Sequence, residues 1–175
     1  MIKDLFPEQA ERVFQWNEIA RKDPPTQEQQ EGFVEEEIKE YKRDRDNIVG
    51  AMDAFADIFV TGVYLEKIGE DSLQVIYAGN LLRKFETLYD KVLLAEVLNE
   101  VLDSNDSKFW NKDDHDAASI VAECIRLGEE TGLRISVRQT KDKIIFLDEN
   151  MKVRKPTGFR EPDLETIMKK YGKEV

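Results

Sequence analysis

Between Ala51 and Leu65 the chain reads AMDAFADIFVTGVYL, and the only charged residues in that run are Asp53 and Asp57. A segment this apolar has to be buried, and its length and flanks fit a helix better than a strand. The two aspartates stand four apart, so on a helix they share one side. Aspartate is a mediocre helix former, and propensity does not explain two of them at this place. A carboxylate beside a core needs a partner. The nearest cationic residue along the same helix is Lys67, so a bound divalent cation is the natural compensation.

The segment before it supplies more carboxylates. A helix starting after Thr26 and running to about residue 47 carries the acidic run Glu35-Glu36-Glu37, then Glu40, beside a sparse apolar face of Phe33, Val34, Ile38 and Tyr41. At about 100° per residue, Glu36 and Glu40 lie about 40° apart, and Glu37 and Glu40 about 60°. Acidic runs on helices are usually solvated faces. Folded back as an αα-hairpin onto a third helix over about 50–68, however, this one would face Asp53 and Asp57.

The remaining pattern is mostly helical. Residues 7–22 form an amphipathic helix broken by DPPT at 23–26. A long helical stretch covers about 71–103, with a candidate interruption at Gly79. The segment SNDSKF at 104–109 is a turn, and Asp114 can cap a helix over about 115–131. The period then changes to alternation. Strands are expected at 134–138 and 143–147, a third short one at Met151–Arg154, and a terminal helix at about 163–171. The expected fold class is therefore mainly α, a helical bundle with a small C-terminal antiparallel β appendage. The expected division is a helical core over 1–110 and an αβ appendage with its tail over 111–175.

Charge and composition limit the chemistry. The net charge of −11 gives no general attraction for nucleic acid or anionic membranes, so an anionic ligand would need a cation to mediate contact. With a single Cys124 and a single His115, intramolecular disulfides and multi-histidine metal sites are excluded within one chain. A metal held by carboxylates alone would be a hard cation such as Mg²⁺, Mn²⁺ or Ca²⁺. His115 is expected at the surface, and Cys124 is expected to be packed and inert. The N-terminus lacks a leader-type apolar core, and no apolar run approaches the roughly 20 residues of a membrane helix. These features lead to the expectation of a soluble, cytoplasmic protein.

EEEIKE (Glu35–Glu40) followed by DAFADIFVTGVYLEKIG (Asp53–Gly69) resembles the all-α nucleoside triphosphate pyrophosphohydrolases, among them MazG-type enzymes, dimeric dUTPases and phosphoribosyl-ATP pyrophosphohydrolases. Their pattern is ExxE on one helix and ExxD on the next. Glu37 and Glu40 match the first, Glu36 completes the EExxE form, and Asp57 matches the final aspartate. Ala54 stands where ExxD has its glutamate. Asp53 lies one residue earlier, a D-x-x-x-D variant similar to phage and bacterial MazG-like proteins, which leaves open direct or water-mediated metal binding by Asp53. FQWN (Phe14–Asn17), SNDSKF (Ser104–Phe109) and the tail bearing Lys155, Phe159, Pro162, Asp163 and Leu164 extend the likeness. Residues 71–100 are not covered by it.

The resemblance implies a MazG-like helical bundle that hydrolyses a nucleoside triphosphate to the monophosphate and pyrophosphate with Mg²⁺, for which Mn²⁺ can substitute. It implies metal ligands at Glu37, Glu40, Asp53 and Asp57, and a water-orienting role for Glu36, with Glu36 and Glu37 able to exchange roles. Trp16, Asn17, Asn105, Lys108 and Lys155 would contact the nucleotide, and a homodimer or homotetramer would complete the sites. Taken without the resemblance, Asn105 and Lys108 read as a capped helix end and a solvated lysine, and Trp16 reads equally well as a core residue. The departure at Ala54 supports the alternative of a catalytically silent helical module that binds nucleotide or a protein.

Overall fold

The computed structural model describes residues 1–69 and 72–174 and is mainly helical, with a small three-stranded antiparallel sheet. The chain separates into two compact units. One comprises residues 1–15, 25–102 and 162–175, and the other residues 16–24 and 103–161. Both units are therefore assembled from discontinuous stretches.

The first unit is helical. Helix α1 (Pro7–Ala20) contributes its first residues to it. Helix α2 (Gln27–Asp44) begins with a capping box. The Thr26 hydroxyl accepts from the Gln29 amide at 3.2 Å, and the Gln29 side chain accepts from the Thr26 amide at 2.9 Å, which satisfies amides that have no partner within the helix. The Asn47 side chain caps helix α3 (Ile48–Ile68) by accepting from Val49 at 2.9 Å and Gly50 at 3.3 Å. Helix α3 is buried over most of its circumference, including Met52, Phe55, Ile58, Phe59, Val63 and Leu65. Phe6 meets Phe55 and Phe59 edge-on, with ring centroids 6.1 and 5.8 Å apart. Each fully buried side chain of this size contributes about 1.5–3 kcal/mol.

Helix α4 (Leu73–Leu88) packs against α3 at a point made of small residues. A β-carbon on Gly62 would stand 3.3 Å from that of Ala78 and 3.2 Å from the Ile2 terminal methyl, so the absence of a side chain lets the helices approach. The interruption expected at Gly79 does not occur. Gly79 is buried inside α4, and the break falls at Tyr89–Asp90. There Asp90 accepts from the Val92 amide at 2.7 Å and starts helix α5 (Lys91–Asp106). The expected start of this stretch at residue 71 lies outside the described residues. Helix α7 (Leu164–Lys170) packs on α3. At its C-terminal end, Lys170 and Tyr171 reach Glu96 of α5 at 2.7 and 2.9 Å and hold its carboxyl below the usual range.

The second unit contains the sheet, in order β1-β3-β2, all antiparallel: β1 (Trp110–Asn111), β2 (Ile135–Gln139) and β3 (Lys143–Asp148). Central strand β3 is covered on both faces. Ile144 and Phe146 pack with Trp110 and Leu127, while Ile145 and Leu147 pack with Ala20, Phe109 and Val153. The expected third strand at Met151–Arg154 is only an isolated bridge from Val153 to Leu147; the third strand is β1. Helix α6 (Ala117–Thr131) is capped by Asp116, not Asp114, and residues 112–114 form a 3-10 turn. Gly132 closes the helix at φ 69°, in the left-handed region that glycine enters without steric cost. Residues 104–106, expected in a turn, are the last residues of α5.

Helix α3 also has the length and composition of a membrane span, with a mean hydropathy of 1.6 over its most apolar window. This departs from the expectation that no apolar run approaches membrane-span length. Here 61% of the window is buried inside the protein, which accounts for its apolarity.

Glu123 of α6 ties the helix to the tail. It accepts from Arg126 at 2.6 Å, from the Thr157 amide at 2.7 Å and from the Thr157 hydroxyl at 2.8 Å. Burial raises the Glu123 carboxyl, but these donors outweigh it and hold the group below its ordinary value. A depressed folded-state pKa contributes stability above the unfolded-state value, about 4.3, and that contribution is lost as pH falls through the folded-state value. Glu123→Gln should flatten the loss of stability below about pH 4.3 and lower stability at neutral pH. Urea denaturation across pH 3–7 checks both; parallel wild-type and variant profiles would refute the assignment.

Candidate functional site

The α2–α3 hairpin is antiparallel, and several contacts set its register. The Gln30 side-chain amide donates to the Thr61 carbonyl at 2.9 Å. A β-carbon on Gly69 would meet the Gln27 side chain at 2.8 Å, and one on Gly50 would meet the Asp44 β-carbon at 3.1 Å. Interpolating between these points at about 1.5 Å rise per residue sets Glu37 and Glu40 level with Asp57 and Asp53, within about one helical turn.

Burial sorts the carboxylates. The buried stripe of α2 runs through Gln30, Val34 and Ile38. Glu37 borders it and is half-buried, as is Glu40, whereas Glu35 and Glu36 are exposed. On α3, Asp53 and Asp57 occupy the half-buried stripe shared with Val60 and Thr61, among neighbours that are otherwise buried. The Thr61 hydroxyl donates to the Asp57 carbonyl at 2.7 Å. Ala54 is buried at 6% exposure, so the position at which the family pattern has glutamate is part of the core here. Asp53, one residue earlier, is on the partly open stripe.

Glu36, Glu37, Asp53 and Asp57 each interact within the protein, and Glu40 lies 4.0 Å from Arg43. Among the described residues no three His, Cys, Asp or Glu side chains converge closely enough to hold a metal ion. The donor set is carboxylate oxygen only, which suits a hard cation.

The residues expected to contact a nucleotide belong to the second unit. Trp16 stacks on Phe109 with centroids 5.0 Å apart and planes 19° apart, and its indole N–H donates to the Asn105 carbonyl at 3.1 Å. Asn105 is buried, and its side-chain oxygen accepts from the Lys108 ammonium at 2.5 Å. That ammonium lies 6.0 Å from the Trp16 ring and 5.7 Å from the Phe159 ring. Lys155 sits 4.6 Å from the same Phe159 ring and pairs with Glu161 at 3.0 Å. Trp16, Asn105, Lys108 and Lys155 thus form one connected aromatic and basic cluster. Asn17 is buried and accepts from Arg21.

Arg21 was not singled out from the sequence. It is buried at 8% exposure and lies 5.9 Å from the Trp16 ring. It also donates to the Met151 carbonyl at 2.8 Å. Met151 adopts φ 64°, a conformation costly for a side chain of this kind, and the Arg21 hydrogen bond helps to hold it. The available signal was its spacing, four residues after Asn17 on the same helical phase. Arg138 similarly donates to the carbonyls of Ile19 at 2.9 Å and Glu18 at 3.4 Å, where cationic groups complement a helix C-terminus. His115, expected at the surface, is half-buried and stacks on Trp110 with centroids 3.7 Å apart. Cys124 packs beside the α6–sheet core, and burial followed by the Glu123 charge raises its thiol pKa.

Compared with known protein families, curated proteins and solved structures, the chain has no match.

Both tryptophans, Trp16 and Trp110, belong to the second unit, so intrinsic fluorescence reports that unit. Arg21→Ala should lower its unfolding free energy by about 2–3 kcal/mol, the range for losing charge-assisted hydrogen bonds to buried acceptors. A fluorescence-monitored urea transition that does not move would show that Arg21 is not the strut described.

Proposed function

We propose that the chain is a nucleoside triphosphate pyrophosphohydrolase of the all-α, MazG-like kind. It would cleave the bond between the α- and β-phosphates and release a nucleoside monophosphate and pyrophosphate. The observation that carries this reading is the register of the α2–α3 hairpin, which sets Glu37 and Glu40 level with Asp57 and Asp53 on an otherwise apolar helix. The likeness of EEEIKE and DAFADIFVTGVYLEKIG to that superfamily agrees with it.

Glu37, Glu40, Asp53 and Asp57 would hold the metal. Magnesium, or manganese in its place, would supply electrostatic stabilisation of the charge that develops as the phosphoanhydride is cleaved. Glu36, or Glu37 in its place, would orient the attacking water. The Lys108 ammonium would meet phosphate oxygens, and Trp16 offers an aromatic surface beside it, with Asn17, Asn105 and Lys155 completing the set of nucleotide contacts. The resemblance further implies a homodimer or homotetramer. Burial of Ala54 within the core favours the second reading, a helical module that binds nucleotide or a protein without turning it over, because the missing glutamate is not restored at that position.

Incubation with a panel of (d)NTPs and Mg²⁺, scored by pyrophosphate release, separates the readings. Glu40→Gln and Asp57→Asn should each lower kcat by about 100-fold or more, the scale for removing a group that stabilises transition-state charge. No pyrophosphate from any nucleotide would leave the binding module. An active protein whose Asp57→Asn variant is equally active would remove the hairpin from the chemistry. A thermal upshift with Mg²⁺ that is lost in Glu40→Gln would report the ion without reference to turnover.

A further inference from the structure

Exposed large aliphatics of this protein include two sets that are complementary in charge. The first is a groove of about 520 Å³ between α2 and α4 in the first unit. Its floor is apolar. Leu73, Ile76 and Tyr77, at i, i+3 and i+4 on α4, are 77, 61 and 45% exposed, and Ile38 of α2 adds to it. Its α2 rim is basic. Lys39 and Lys42 line it, and Lys42 leans 5.7 Å from the Tyr77 ring. Glu35 also lines the groove and stands 4.0 Å from Lys39, in a pair whose side chains are half or more exposed. A pair this open leaves most of the lysine charge available.

The second surface is a ridge. On α6, Val121 and Ile125 are one turn apart and 58 and 56% exposed, and Ala118 and Ala122 continue the same side. Acidic residues bracket the ridge, with Asp113, Asp114 and Asp116 before it and Glu129 and Glu130 at its end. Arg126, the one cationic residue within α6, is tied to Glu123 and Glu130, each at 2.6 Å. An apolar, acid-flanked helical ridge is complementary in polarity and charge to an apolar groove with a lysine rim.

We propose that the α2–α4 groove receives helix α6 of a second copy of this chain. The contact is head-to-tail. Through this contact each chain retains one unused groove or ridge, so it closes into a ring or extends with concentration. The proposal does not rest on the enzymatic reading.

The test uses light scattering with size-exclusion chromatography on the full chain. Wild-type mass should rise above the 20.4 kDa monomer as concentration is raised to about 1 mM, the range in which weak interfaces form. Ile76→Glu, which blocks the groove, and the double variant Val121→Glu with Ile125→Glu, which blocks the ridge, should each fall back in mass. Because these positions are exposed, helical circular dichroism should be kept. Mixed in equal amounts, the two variants should form a complex that neither forms alone, since one supplies an intact ridge and the other an intact groove. A monomeric wild type at all concentrations overturns the proposal, as does either variant assembling like wild type, or a mixture showing no new complex. Dependence on Ile76 alone would assign the groove to a two-fold α4–α4 contact or to a different protein.

Discussion

Burial of α3 is the constraint on which the first unit depends. The helix is covered nearly all round, by α2 on one side, α4 on another and α7 on a third. Between its end turns, the stripe holding Asp53, Asp57, Val60 and Thr61 stays partly open. Helix α2 packs along α3, with the Gln30 side chain bonded to the Thr61 carbonyl at one end and the half-buried Glu37 and Glu40 farther along. The close approach of α4 at Gly62 and Ala78 closes the opposite flank and leaves the carboxylates on the open one.

The second unit solves a different problem. A three-stranded sheet with a two-residue edge strand cannot hold itself together, and β3 gains its burial from cover on both faces. One cover is α6. The other includes Trp16 and Ala20 from the end of α1 and Phe109 from the turn after α5. The aromatic and basic cluster is built on that second cover, so the same Trp16–Phe109 stack that shields the sheet positions Lys108. Arg21 and Arg138 reinforce it from the carbonyl ends of the chain around it. A site raised on packed aromatic groups is held more firmly than one on a free loop.

Much of the architecture was readable where a local interaction decides it. Thr26 with Gln29, Asn47 and the α3 periodicity fixed α2 and α3 within a few residues, and the alternation at 134–147 gave the hairpin. The errors share a cause. Gly79 looked like a break because glycine is a poor helix former, yet it packs inside α4. The true break needed Asp90 to cap α5, a choice among several acidic candidates. Asp114 and Asp116 compete for the α6 cap in the same way. Strand β1 is two residues long and carries no pattern; it exists because β3 offers it an edge. Arg21 was overlooked because its role, bonding to a carbonyl 130 residues away, leaves no local mark.

The carboxylates divide along the same line. Their identity, spacing and apolar setting are properties of the chain, since helical phase alone puts Asp53 with Asp57 and Glu37 near Glu40. That Ala54 is core and Asp53 is on the open stripe, and that Glu36 is exposed while Glu37 borders the buried stripe, follows from which faces α2 and α3 present to each other. Ridge-and-groove packing over many side chains sets those faces, and a one-dimensional pattern averages over the rotations that packing resolves. The grouping of Trp16, Asn105, Lys108 and Lys155 is of this second kind too, because segments far apart in sequence meet only when the sheet is covered.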